Sequence, residues 1–149
     1  MFEAGDKVRL SMQGRQIIDK STTDTNCINT IATVGVDKNG MFFQYDEAVE
    51  GAKNGISNKI YVLDTEVEYY KRGLVNADIY LKGGETFPLN YRTPCGTLEM
   101  LIKTNKLHIR KNQKAIYVKS EYTMWQSREL VSTNLLSITI TVIGECENV

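Results

Sequence analysis

Apolar residues recur at every second position along most of this chain, and the segments that alternate in this way are rich in Ile, Val, Tyr and Thr. Successive side chains of a β-strand point to opposite faces, so each such segment is expected to form a strand with one dry and one wet face. The pattern is carried near the start by Val8, Leu10 and Met12, and near the end by Leu136, Ile138, Ile140 and Val142. No window longer than about ten residues shows the 3.6-residue period of an amphipathic helix. The pattern predicts an all-β fold.

Turn-forming residues separate the predicted strands. Asn39 and Gly40 lie between the apolar segments 28–37 and 41–46, and Asn-Gly favours a type I′ hairpin because both residues tolerate positive φ. The polar segment 47–58 predicts a loop. In the second half of the chain, turn residues recur about every ten positions, which is typical of a sandwich or barrel. The strands predicted there carry Ala77, Ile79 and Leu81; Phe87, Leu89 and Tyr91; Leu98, Met100 and Ile102; Leu107 and Ile109; and Ile116, Val118, Ser120 and Tyr122.

The strand count predicts the architecture. About eight to ten antiparallel strands are expected, in a single domain that spans residues 1–149. Because each strand has one apolar face and open sheet edges aggregate, the sheet must close on itself or fold into a sandwich. Sequential hairpins with few long crossovers favour a closed up-and-down β-barrel over a Greek-key sandwich.

Composition excludes several classes of function. Lys plus Arg and Asp plus Glu each number 18, so the net charge of zero argues against a protein that holds nucleic acid by bulk electrostatics. A single histidine, His108, rules out paired-histidine zinc motifs within one chain. Cys27, Cys95 and Cys146 are widely spaced and odd in number, which indicates reduced thiols. With no signal-peptide pattern and no bilayer-spanning apolar run, we predict a cytoplasmic protein without membrane association, metal or cofactor.

The second half of the chain resembles the YwiB-like family of bacterial proteins. The resemblance is carried by an Arg72-Gly73 turn and by Phe87, Tyr91, Thr93, Gly96, Leu98, Met100 and Thr104. Further similar segments are Tyr45, Asp46 and Glu47 after the Asn-Gly hairpin, and the closing strand with Leu136, Ile138 and Ile140. This resemblance implies a calycin-type (lipocalin-like) β-barrel. It implies no activity, since the family has no established one, and ligand binding follows only by analogy of fold.

Polar residues that interrupt a dry face at the correct parity are the candidate site. A few convergent polar groups among apolar walls orient an amphipathic ligand in a small barrel. The polar residues expected to point inward are Asp64, Tyr91, Thr104, Ser120 and Tyr122. Arg72 is added as a partner for an inward acid or a ligand carboxylate, and Trp125 as a lid over one barrel end. The alternative is that the tyrosines find partners at the rim of a filled core, that Asp64 belongs to a turn and that Arg72 lies on the surface.

The one sustained charge bias lies between residues 103 and 119. It consists of Lys103, Lys106, Arg110, Lys111, Lys114 and Lys119, with no acidic residue among them. One interpretation is an anion or RNA-backbone site with Tyr117 as a stacking platform; the other is a solvated hairpin whose lysines protect a strand edge. His108 alternates with Leu107 and Ile109 and is therefore expected to face solvent.

Two functions from different classes are compatible with these patterns. The first is a non-enzymatic barrel that binds a small apolar or amphipathic ligand. The second is a structural or protein-interaction barrel with a filled core, which acts through an edge strand or the basic 103–119 hairpin and for which a homodimer would be natural. No catalytic residue is predicted, and an enzyme would need Asp64 to lie beside another titratable group. Nucleic acid is not the expected partner.

Overall fold

The computed structural model describes residues 2–143, and residues 21–23 by their backbone alone. This part of the chain forms ten strands and no helix, which confirms the all-β prediction. The strands are β1 (Lys7–Ile18), β2 (Ser21–Asp37), β3 (Gly40–Glu47), β4 (Ile56–Val62), β5 (Glu66–Gly73), β6 (Ala77–Lys82), β7 (Thr86–Thr93), β8 (Gly96–Lys111), β9 (Ala115–Gln126) and β10 (Glu129–Val142).

The strands form one antiparallel sheet in the order β6-β5-β4-β3-β2-β1-β10-β9-β8-β7. Its two edge strands, β6 and β7, are neighbours in sequence and meet along a seam. An isolated bridge between Asn76 and Arg92 joins one end of the seam. At the other end Gly84 N donates to Thr104 O at 2.8 Å, and Thr104 N donates to Glu85 O at 3.0 Å. The sheet is therefore a nearly closed up-and-down barrel, as predicted.

One half of the barrel interior is filled by aliphatic and aromatic side chains. Of the predicted inward residues of β1 and β10, Val8, Leu10, Ile138 and Ile140 are fully buried, while Leu136 and Val142 are partly buried. Phe43 of β3 is also buried and packs edge-on against Phe2, with ring centroids 5.6 Å apart. Burial of apolar surface stabilises a fold by roughly 25 cal/mol per Å², so the side chains packed in this half of the interior stabilise the barrel.

Strand β8 corrects the prediction of two separate strands around residues 98–102 and 107–109. The chain is continuous from Gly96 to Lys111, with a bulge between Thr104 and Lys106. A bulge inserts one residue and so reverses the parity of the strand beyond it. For this reason the inward positions change from even-numbered residues such as Ile102 to odd-numbered ones such as Leu107. His108 is exposed, as expected.

The hairpin between β2 and β3 is confirmed, but its predicted type I′ turn is wrong. Of Asn39 and Gly40, only Gly40 takes a positive φ, of 117°. Asn39 N instead donates to the carboxylate of Asp37 at 2.8 Å. Two consecutive positive φ values, the signature of type I′, occur in the turns of two other hairpins, Asp19–Lys20 and Ser127–Arg128, neither of which has a glycine in the turn.

Candidate ligand-binding site in the barrel

The other half of the barrel interior holds a cavity of about 550 Å³. Eight strands enclose little more than their own side chains, so a barrel of ten strands has room for a ligand. Gly14 contributes to this space, because a Cβ atom built on it would meet nothing within 4 Å. The cavity is lined by Met12, Gly14, Asn26, Cys27, Ile28, Glu47, Val67, Tyr69, Lys71, Ile79, Leu81, Tyr91, Tyr122 and Leu136.

A polar row crosses three neighbouring strands at one wall of the cavity. Tyr45 of β3 lies directly opposite Asn58 of β4, which in turn lies opposite Lys71 of β5. Glu47 and Tyr69 are the next inward positions along β3 and β5. Directly opposed and diagonal residues on one sheet face are close enough to interact. Sheet register therefore assembles the five residues into one group, which we call the polar wall.

Hydrogen bonds connect all members of the polar wall. The side-chain amide of Asn58 donates to Glu47 Oε1 at 2.8 Å, and its Oδ1 accepts from Tyr69 OH at 3.0 Å and from Lys71 Nζ at 2.9 Å. The hydroxyls of Tyr69 and Tyr45 also share a hydrogen bond. Asn58 is wholly buried, and an amide there is tolerated because its nitrogen and oxygen are both bonded.

The polar wall carries one ion pair. Lys71 Nζ lies 3.1 Å from Glu47 Oε1, and the two side chains are 16% and 32% exposed. The ammonium also lies 5.0 Å from the centre of the Tyr69 ring, within range of a cation–π contact. The two charges are thus compensated inside the barrel.

The tyrosines around the cavity are held in their neutral form. Burial raises the pKa of Tyr45 to about 12. Burial, together with the neighbouring Tyr45 hydroxyl, raises the pKa of Tyr69 further. The pKa of Tyr91 is raised by burial and by the charge of Glu47, and that of Tyr122 by burial. All four are therefore uncharged hydrogen-bonding groups at neutral pH.

Tyr91 and Tyr122 are the predicted site residues that line the cavity. Within the described part of the chain, neither hydroxyl has a hydrogen-bond partner. Every side-chain nitrogen and oxygen in this part that is shut off from solvent does have one. The two hydroxyls are therefore not shut off from solvent, and because both residues line the cavity, a ligand in it could reach them.

Asp64 and Arg72 do not point inward, contrary to prediction. Asp64 follows the end of β4, in the turn closed by a hydrogen bond from Leu63 N to Glu66 O, and its side chain is 99% exposed. Arg72 follows the inward Lys71 and so faces outward, where it pairs with Asp78 at 2.6 Å. The alternative of a turn acid and a surface arginine is the observed arrangement.

Thr104 and Ser120 are buried, but neither lines the cavity. Thr104 Oγ1 accepts a hydrogen bond from Lys82 N at 3.2 Å, which ties β8 to the seam. Ser120 Oγ donates to Lys106 O at 2.9 Å, beside the bulge in β8. Both hydroxyls form hydrogen bonds with backbone atoms at places where the regular ladder of backbone hydrogen bonds between strands is interrupted.

Trp125 is not a lid over the barrel end. It lies opposite Leu101 on β8 and Leu130 on β10, and these two leucines are about half exposed, at 48% and 52%. The three side chains therefore share the outer face of the sheet. The indole Nε1 donates to Thr123 Oγ1 at 2.9 Å. The inward neighbour is Met124, which packs on the core.

The polar wall is not predicted by the sequence pattern as interpreted above. That pattern predicts a loop over residues 47–58, whereas β3 extends to Glu47 and β4 begins at Ile56. The signal is present in the chain, since Asn58 shares the parity of Ile60 and Val62, and Lys71 that of Val67 and Tyr69. Extending each alternation by one or two positions places these polar residues inside.

The basic residues between 103 and 119 are all exposed. Lys103, Arg110 and Lys119 lie on the outer face, whereas Lys111 has the inward parity of Leu107 and Ile109 and lies at one end of the barrel. Lys111 Nζ donates to Val62 O at 2.7 Å and lies 3.9 Å from the Asp64 carboxylate. A groove of about 330 Å³ on this face is lined in part by Lys106, His108 and Lys119. This face is separate from the cavity.

The thiols and acidic side chains form no further site in the described structure. Cys27 and Cys95 are free and exposed, and Cys146 lies outside the described residues. Among residues 2–143, no cluster of three or more His, Cys, Asp or Glu side chains is placed to hold a metal ion. The same part of the chain contains no helix that could cross a bilayer.

Comparison with known proteins identifies the fold and not the activity. A family model described as a domain of unknown function, DUF1934, matches residues 10–138. The crystal structure of the YwiB protein from Bacillus subtilis superposes with a TM-score of 0.79 over 95% of each chain, at 15% sequence identity. No curated protein matches. The resemblance to YwiB-like proteins is thereby confirmed, and at this identity the likeness speaks for the fold alone.

Proposed function

We propose that this chain, which belongs to the DUF1934 family, binds a small amphipathic molecule in the barrel cavity. The description of the family names no activity, so the proposal is drawn from the barrel itself. The observation that carries this proposal is the cavity of about 550 Å³, with apolar side chains on most of its surface and a polar wall at one side. Binding sites for small molecules have volumes of about 300–1,000 Å³ and combine apolar walls with a few oriented polar groups.

The geometry favours binding over catalysis. The inward acid of the polar wall, Glu47, is already paired with Lys71 and hydrogen-bonded to Asn58. Among the described residues that line the cavity there is no histidine, and no cysteine is paired with a neighbouring base. General acid–base or nucleophilic catalysis needs such a pair within hydrogen-bond reach of the substrate. The residues that line the cavity suit a non-enzymatic, cytoplasmic protein that carries or senses a small molecule.

A cavity-filling substitution tests the proposal. Gly14→Leu places an isobutyl group in open space, without the strain of a positive φ, and should abolish binding of N-phenylnaphthylamine, a neutral dye that fluoresces in apolar surroundings. Gln13→Leu adds the same side chain one residue earlier, on the outer face, and should leave binding unchanged. Native mass spectrometry of the protein purified from cells would identify a co-retained ligand. Equal dye binding by wild type and Gly14→Leu, or no dye binding by wild type, would contradict the proposal.

The outer groove supports a second candidate, an interaction barrel that acts through the basic 103–119 hairpin. Lys106, His108 and Lys119 line that groove with exposed side chains. An open edge strand is a weaker basis for interaction, because a bridge closes one end of the seam between β6 and β7, and at the other end the turn between them is hydrogen-bonded to Thr104 of β8. A wild-type protein that binds no dye but is retained on heparin at low salt would favour this second function.

A further inference from the structure

The charges that line the cavity decide which polar group a ligand can carry. Among the described lining residues, Glu47 and Lys71 are the charged ones, and they form an ion pair with each other. Asn58 holds both partners in place through its amide. The polar wall therefore has no net charge and no charge left unpaired.

A charged ligand would disturb this pair. A ligand carboxylate beside Lys71 would also lie beside Glu47, and a ligand ammonium beside Glu47 would also lie beside Lys71. Like charges only a few ångström apart repel each other, and moving an ion out of water costs free energy unless an opposite charge compensates it fully. The internal ion pair thus works against both kinds of ion.

The groups left for a ligand are uncharged. Tyr91 of β7 and Tyr122 of β9 present hydroxyls with no protein partner in the described part of the chain, and the charge of Glu47 reaches Tyr91. A phenol hydroxyl donates one hydrogen bond and accepts others. Its complement in a ligand is a hydroxyl or carbonyl group, and the rest of the cavity surface, from Met12 to Leu136, is mostly apolar.

We propose that the ligand is an uncharged amphipathic molecule, with an aliphatic body and a hydroxyl or carbonyl head, and that the Glu47–Lys71 ion pair excludes fatty acids and aliphatic amines of the same length. This inference rests on the proposed function, because it specifies the ligand of the same cavity. It makes Glu47 and Lys71 determinants of specificity that act by charge balance.

Three ligands with one chain length test the inference. Decanol, decanoate and decylamine are titrated at neutral pH against bound N-phenylnaphthylamine. In wild type, decanol should displace the dye at a concentration at least about tenfold lower than either ion does. Decanoate or decylamine that displaces the dye as well as decanol would overturn the inference while leaving the proposed function intact. Failure of all three, with no dye binding, would instead count against the proposed function.

Two substitutions should shift the selectivity, each toward one kind of ion. Glu47→Gln leaves the Lys71 charge unpaired and should improve decanoate binding by about tenfold or more; Lys71→Met leaves the Glu47 charge unpaired and should do the same for decylamine. Asp46→Asn and Arg72→Met make the same changes of charge at adjacent outward positions and should leave the order unchanged. If either inward variant fails to fold, the wild-type ranking still decides. Folded Glu47→Gln that binds decanoate no better than wild type, and folded Lys71→Met that binds decylamine no better, would overturn the inference.

Discussion

Asn58 shows how much one buried side chain can organise. It is wholly buried, and its amide contacts Glu47, Tyr69 and Lys71. An amide suits this position because it donates and accepts at once, whereas a carboxylate could not donate to Glu47 and an ammonium could not accept from Lys71. The residue thus allows a charged pair to lie inside an apolar barrel.

We expect Asn58→Ala to lower the free energy of unfolding by about 2–4 kcal/mol, because three partners lose a hydrogen bond in a site that water reaches poorly. Urea titration followed by circular dichroism measures this change. Asn90→Ala removes the same amide from an exposed position on β7 and should change stability by less than about 0.5 kcal/mol. A similar small effect for Asn58→Ala would show that the hydrogen bonds of the polar wall add little to stability.

At the scale of strands, parity was predictable, but continuity and turn geometry were not. The alternation in β1, β6, β7, β9 and β10 is local and is visible in the sequence. The bulge in β8 is not, because it merges two alternations of opposite parity into one strand that spans Gly96–Lys111. The Asn-Gly motif marked a true hairpin, yet consecutive positive φ values occur at Ser127–Arg128 and Asp19–Lys20, where the flanking strands impose them.

The turn between β9 and β10 holds two residues other than glycine, Ser127 and Arg128, at positive φ. Ser127→Asn combined with Arg128→Gly should raise the free energy of unfolding by about 1 kcal/mol, because the left-handed conformation is strained for most residues and Asn-Gly adopts it readily. The change is measured by thermal or urea unfolding. Lys38→Gly is the control, since Lys38 has no positive φ, and it should be neutral or destabilising. Lower stability in the double variant would contradict the type I′ assignment.

At the scale of the whole molecule, the seam is the weakest part of the barrel wall. Every other pair of neighbouring strands in the described sheet is joined by an extended ladder, with ten partners between β1 and β10 from Val8↔Val142 to Ile17↔Thr133. Between β6 and β7 the described structure has the single bridge Asn76↔Arg92, and Thr104 joins β8 to the turn at the other end. Because Tyr91 and Ile79 lie on these strands, movement at the seam would change the cavity.

Native-state hydrogen exchange should locate this weakness. Amides of β6 and β7 that face the seam are expected to exchange faster than those in the ladder between β1 and β10, because local opening there breaks few hydrogen bonds. Exchange followed by mass spectrometry or NMR gives the comparison. Equal protection in the two regions would mean that side-chain packing, and not the ladder, holds the seam shut.

The sequence by itself determined the all-β class, the up-and-down order and the inward parity of residues such as Leu10, Tyr91 and Ile138, because alternation of side chains is a property of each strand alone. The tertiary structure decided which inward residues meet. Glu47 and Lys71 are 24 positions apart, and they form a pair because register aligns β3, β4 and β5. A turn leaves Asp64 outside, and alternation with the inward Lys71 and Met124 leaves Arg72 and Trp125 on the outer face. Register depends on contacts between segments, and a shift of one residue reverses every face, so local pattern could not supply it.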